Sequence, residues 1–152
     1  MFLRYFVTIR CPAPEVEAAF EGGVENWMPA LVHQAGKNGA AILSQLGFKI
    51  GNRLIHRDIE VSVGAARRVA GATLIPIRWR AASGSSLFPV LDGQLEIASV
   101  GPAITQVGLS ATYEPPLGLA GRVADRALLH RIAEITIKGF LDAVGERLES
   151  SD

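Results

Sequence analysis

Cysteine is nearly absent: Cys11 stands alone in 152 residues. An internal disulfide is therefore excluded, which fits a reducing compartment and leads us to expect a cytoplasmic location. Net charge is lacking too, since fifteen Lys plus Arg balance fifteen Asp plus Glu. Twelve of the basic residues are arginines, scattered in ones and twos as at Arg67, Arg68, Arg78 and Arg80. Such a chain has no general attraction for a polyanion, and nucleic acid is not expected as a partner. Long apolar runs are missing as well. None approaches the roughly 18 residues of a transmembrane helix, so stable membrane insertion is not expected. The opening "MFLRYFVTIR" is broken by Arg4 and Arg10 and offers neither the apolar length nor the cleavage site of a signal peptide. The 49% of residues that are hydrophobic must then be buried inside a fold or around a ligand.

The common chemical signatures are also missing. There is no G-x-x-x-x-G-K-[ST] phosphate loop and no G-x-S-x-G elbow, and "GLAG" at Gly118 to Gly121 is too short for a dinucleotide fingerprint. His33, His56 and His130 are far apart, with no second His or Cys at ligand spacing. Neither a metal nor a cofactor is expected.

What is present has the length of one domain, 1–152, able to bury a core without staples. "FLRYFVTIR" has the aromatic and β-branched content of a strand, and "CPAPE" stops it with prolines that cannot serve a ladder. "PEVEAAFEGG" from Pro14 reads as a short helix, with proline in its first turn and Gly22–Gly23 at its end. "VENWMPALVHQAG" reads as a second one, bent at Pro29. The period then changes. "AAILSQLGFKIG", "LIHRDIEVSVG", "RVAGATLIPIRWRAA", "LFPVLDGQLEIASVG" and "AITQVGLSATYEPP" are each of strand length and bounded by turn residues. Short links such as "GAAR", "ASGSS" and "VGPA" favour antiparallel hairpins.

Alternation assigns the faces. Ile59, Val61 and Val63 share one side, opposite Asp58, Glu60 and Ser62. Ile75, Ile77 and Trp79 oppose Arg78 and Arg80, while Leu95 and Ile97 oppose Gln94 and Glu96. Val107, Leu109, Ala111 and Tyr113 oppose Gln106, Ser110, Thr112 and Glu114. A sheet with one apolar face follows, and residues 117–148 supply a long helix to cover it. Its first half puts Leu117, Ala120, Ala124, Ala127 and Leu128 on one side. Its second half presents Ile132, Ala133, Thr136, Phe140, Ala143 and Val144, with Glu134, Lys138, Asp142 and Glu146 as the wet edge. His56, Asp58 and Glu60, with Arg78 and Arg80, read as a solvated charge lattice between neighbouring strands. His130 reads as a surface helix histidine.

In this order of elements, and in the stretches "IPIRWRA" and "LFPVLDGQLEIASVGPAITQVGLSATYEPPLGLAGRVADRALLHRIAE", the chain resembles the START-like or SRPBCC superfamily. The resemblance implies an α+β helix-grip fold. Its parts would be a curved antiparallel sheet of about six to seven strands, two short helices after the first strand, and a long C-terminal helix packed across the sheet. It further implies a cavity between sheet and helix that takes a hydrophobic small molecule or a lipid. The inward sets place Ile59, Val61, Ile77, Trp79, Leu95 and Ile97 on its floor, with Val107, Leu109 and Tyr113 beside them, closed by Leu128, Ile132 and Phe140. Trp79 and Tyr113 are the strongest candidates, because each joins a large apolar body to a polar group that needs a partner when buried. A binding role, as carrier or sensor, is expected ahead of an enzymatic one. The alternatives are a polyketide cyclase/dehydrase-like enzyme, and a homodimerising module with a collapsed cavity. Catalytic residues are not identified.

Overall fold

The computed structural model describes residues 2–22, 27, 28, 30, 31, 59–81, 90–114 and 126–150. Its elements are β1 (Phe2–Ile9), α1 (Ala13–Glu21), β2 (Ile59–Val63), β3 (Arg67–Val69), β4 (Ala72–Ala81), β5 (Val90–Gly101), β6 (Ile104–Glu114) and α2 (Arg126–Glu149). Strand β1 stops just ahead of Cys11–Pro12, as its sequence requires. Pro12 is extended at the cap of α1 and Pro14 lies in its first turn, where a missing N–H costs nothing. At the other end the Gly22 N–H closes onto the Ala18 carbonyl at 2.9 Å. Helical residues recur at Trp27, Met28, Ala30 and Leu31, inside the second short helix expected, and the Trp27 ring meets Phe20 edge to face at 5.4 Å. The strand expected at 40–51, the first part of the helix expected from residue 117, and His33, His56 and Asp58 lie outside the described residues.

The strands form one antiparallel sheet of six, in the order β1-β6-β5-β4-β2, with β3 also on β4. Two readings of the sequence need correction. "RVAGATLIPIRWRAA" is not one strand but a hairpin, in which β3 turns through Ala70 and Gly71 into β4. Both turn residues have positive φ, 51° and 83°, the left-handed pair whose twist matches flanking strands. Alanine gives no turn signal, which is why the hairpin is not legible in the sequence. Alanine is strained there, whereas asparagine's short amide side chain hydrogen-bonds locally and tolerates this conformation, so Ala70→Asn is expected to stabilise the protein by about 0.5–1 kcal/mol, read as a higher urea midpoint.

The second correction concerns "GAAR". It does not link paired strands; β2 and β3 run in the same direction along one edge of β4. Gly64, Ala65 and Ala66 bulge opposite only Ile75 and Pro76. The Pro76 carbonyl accepts the Gly64 N–H at 2.8 Å. A strand residue's N–H and C=O point the same way, so proline's missing donor faces this edge and interrupts the ladder there.

Alternation otherwise holds. Ile75, Ile77 and Trp79 on β4, Leu91, Leu95 and Ile97 on β5, and Val107, Leu109, Ala111 and Tyr113 on β6 are buried. In β1 the inward set is Leu3, Tyr5, Val7 and Ile9, while Phe2 and Phe6 are exposed on the outer face. Helix α2 lies over the inner face, chiefly on β1 and β6. It buries Ala133, Thr136, Ile137, Phe140, Leu141, Val144 and Leu148, a stripe at three- and four-residue spacing. Ile137, Leu141 and Leu148 complete the arc expected from sequence. Ala127, expected on an apolar side, is exposed; a lone methyl adds too little buried area to dictate its own position. Helix α1 packs against β5 and β6 through Val16 and Phe20.

Candidate binding interior

Strand register sets the site. Val61, Trp79, Leu91 and Tyr113 stand in one row across β2, β4, β5 and β6. Trp79 and Tyr113, each 1% exposed, are thus two strands apart, about 10 Å by sheet spacing. Phe140 comes down from α2 onto Trp79, ring edge to face at 5.0 Å. Of the residues expected to line a cavity, Ile77, Trp79, Leu95, Ile97, Val107 and Leu109 are buried on the inner face with Tyr113 and Phe140. Val61 is partly buried against the same core. The side chains of Ile59, Leu128 and Ile132 lie outside the described residues. Leu91, which fills the row between the two aromatics, escapes a reading by period because Gly93 breaks the apolar alternation running back from Leu95.

The buried polar groups divide sharply. Thr105 donates to the Cys11 carbonyl at 2.6 Å, and Thr73 donates to Glu17 Oε1 at 2.8 Å, both beside α1. Tyr113 and Thr136 hydrogen-bond to each other, tying β6 to α2. The indole Nε1 of Trp79 is buried and has no hydrogen-bond partner among the described residues. Leaving a buried donor unmet is costly, so this atom stands apart from every other described polar group of the interior.

Burial pushes the Tyr113 phenol from 10.0 up to about 12, and its hydrogen bond with Thr136 acts the other way. The neutral phenol is therefore favoured by the fold. Its contribution is complete below pH 10.0 and is lost as pH rises toward about 12. Tyr113→Phe is expected to remove about 2–3 kcal/mol of this alkaline loss, seen by comparing urea stability with wild type across that range.

A second polar cluster joins the rim of the sheet to the helix. Tyr5 donates to Glu134 Oε1 at 2.6 Å, and His130 Nε2 lies 3.1 Å from the same oxygen. The Tyr5 bond, ahead of the opposing desolvation and the His130 charge, holds the Glu134 carboxyl below its ordinary value; the same bond raises the Tyr5 phenol. Spacing places Glu134 on the wet edge, and nothing in the sequence alone pairs it with β1. Among the described residues no group of three or more His, Cys, Asp and Glu is arranged to hold a metal ion.

The outer face carries a shallow groove of about 480 Å³ between Phe2, Pro76, Asp92, Gln94, Ser110 and Thr112. On that face Arg78 reaches Asp92 of β5 at 3.9 Å, and register sets Glu60 opposite Arg80. The Arg78–Asp92 pair is solvated, as expected for charges on this face, though its acid comes from β5; the side chain of Glu60 lies outside the described residues. His130, 49% exposed at its side chain, is likewise a surface helix residue. No described helix is long and apolar enough to cross a membrane.

No protein-family model matches the sequence, and no curated protein matches it. Solved structures do match. A conserved protein of Geobacillus kaustophilus aligns over 99% of this chain and 97% of its own, with 11% identity and a TM-score of 0.56. A protein of Thermus thermophilus aligns over 100% and 99%, with 13% identity and a TM-score of 0.47. The Zhui aromatase/cyclase of Streptomyces sp. R1128 aligns over 98% and 93%, with 17% identity and a TM-score of 0.43. Likeness at these identities concerns architecture alone. Element order, the open six-stranded antiparallel sheet and the full-length likeness to the Geobacillus protein lead to one conclusion: the chain has an α+β fold of the helix-grip type, an antiparallel sheet with a C-terminal helix across it.

Proposed function

We propose that this protein binds a hydrophobic small molecule or lipid between the inner face of its sheet and α2, as a carrier or sensor. The observation that carries the reading is the buried Trp79 N–H, which no described residue satisfies. A core selected only for packing has no use for an indole whose donor is left unmet; a binding interior does, because its ligand completes the bond. The residues around it suit the role. Ile77 and Leu91 beside it offer aliphatic surface that continues along the inner face to Leu95 and Leu109, and burying ligand carbon on such surface supplies about 25 cal/mol per Å². Tyr113, in the same row as Trp79, adds a second aromatic body whose phenol is already hydrogen-bonded with Thr136.

The test is titration with N-phenyl-1-naphthylamine, a neutral apolar fluorophore that accepts excitation energy from tryptophan. Saturable binding of one probe per chain is expected, with energy transfer that falls in Trp79→Phe. An absence of uptake, together with no small molecule retained on purification, would contradict the reading.

A further inference from the structure

The polar atoms of the interior also constrain the chemistry of its ligand, given the binding role proposed above, on which this step rests. We infer that the ligand carries a neutral hydrogen-bond acceptor, an oxygen of a carbonyl, ester or ether group, which receives the Trp79 N–H, and that it is neither a free carboxylate nor a bare hydrocarbon.

Three observations point this way. An indole N–H only donates, so whatever meets it must accept. Among the described residues the other buried polar side chains are engaged, Thr73 with Glu17, Thr105 with the Cys11 carbonyl, and Thr136 with Tyr113, and the indole is the donor left over. The fully buried polar side chains among the described residues are threonines, tyrosine and tryptophan, with no Lys, Arg or His of this region buried beside Trp79. A carboxylate moved into such surroundings loses its hydration and finds neutral donors in return, which does not repay the loss of solvation. A hydrocarbon enters at no such cost but leaves the N–H unmet. A neutral acceptor avoids both penalties. A site built to hydrogen-bond a ligand oxygen rejects the analogue that lacks it.

Three probes sharing one ring system separate these classes: 2-acetylnaphthalene, 2-ethylnaphthalene and 2-naphthoate. Affinities are measured by calorimetry, and the Trp79 indole proton is followed by ¹H–¹⁵N correlation. The chain has two tryptophans, Trp27 and Trp79, so the spectrum holds one indole signal from each, and Trp79→Phe identifies them. The ketone is expected to bind about tenfold tighter than the ethyl compound and to move the Trp79 indole proton downfield. The naphthoate should bind about tenfold or more weaker than the ketone. In Trp79→Phe the preference for ketone over ethyl should collapse. Equal binding of ketone and ethyl compound with an unmoved indole signal would overturn the inference while leaving the binding role intact; so would tightest binding by the naphthoate. The indole shift is read in the wild-type protein, so the decision survives even if the variant does not fold. Failure of all three to bind would overturn this inference, and it would remove the binding role as well only if N-phenyl-1-naphthylamine is also not taken up and no small molecule is retained on purification.

Discussion

Gly93→Ala is expected to destabilise the fold by about 3 kcal/mol, at the upper end for an overpacked site. A Cβ at this position would lie 2.3 Å from the Ser110 carbonyl oxygen, 2.5 Å from the Ala111 Cβ and 2.6 Å from the Ala111 Cα. Two of these three atoms are backbone, so relief means moving the β5–β6 ladder itself, and rotating a side chain is not enough. Gly93 faces Ala111 across that ladder, two residues from Leu91 and Leu95 on the inner face. The close approach there therefore shapes the floor beside Trp79 and Tyr113. Gly108→Ala is the control on the same strand pair. Its Cβ would meet nothing closer than the Tyr5 carbonyl at 3.6 Å, and its effect on the urea midpoint should be small by comparison.

Phe140→Ala is expected to cost about 3–5 kcal/mol. The ring is fully buried, stands edge to face on Trp79, and joins the helix to β4 across the interior. Truncation removes its buried carbon, leaves a void that the rigid sheet fills poorly, and forfeits the aromatic pair. Urea denaturation measures the loss, and Trp79 emission should move to longer wavelength as its neighbour is withdrawn. If Phe140→Ala costs less than about 1 kcal/mol, the helix does not pack on Trp79 as described.

How legible this molecule is from its sequence depends on which physical signal each element carries. Strand β6, β4 from Ile75 to Arg80 and β5 from Gln94 to Ile97 alternate cleanly, so burial of Trp79, Leu95, Val107 and Tyr113 can be read from period alone. The β3–β4 hairpin cannot, because a strained Ala70 sits where an asparagine or glycine would have marked the turn. The β2–β3 bulge depends on where Pro76 aims its missing donor, a property of register that no local pattern reveals. Leu91 is hidden because Gly93, required by close strand approach, breaks the apolar rhythm. The Tyr5–Glu134 bond joins residues 129 apart in sequence, and a glutamate on a helix edge looks solvated until the opposite strand is in place. For Trp79 the sequence states a need, a partner for a buried N–H. The structure sharpens that need by leaving the atom unmet among the described residues while the buried threonines and Tyr113 are served.

Whether this interior receives a ligand is tested most directly by native mass spectrometry of protein purified gently from its own host. The expected spectrum contains the chain with one neutral small molecule bound, lost on denaturation and identifiable in the released fraction as carrying a carbonyl, ester or ether oxygen. A spectrum of the bare chain alone, from protein that also takes up no N-phenyl-1-naphthylamine, would contradict the binding role.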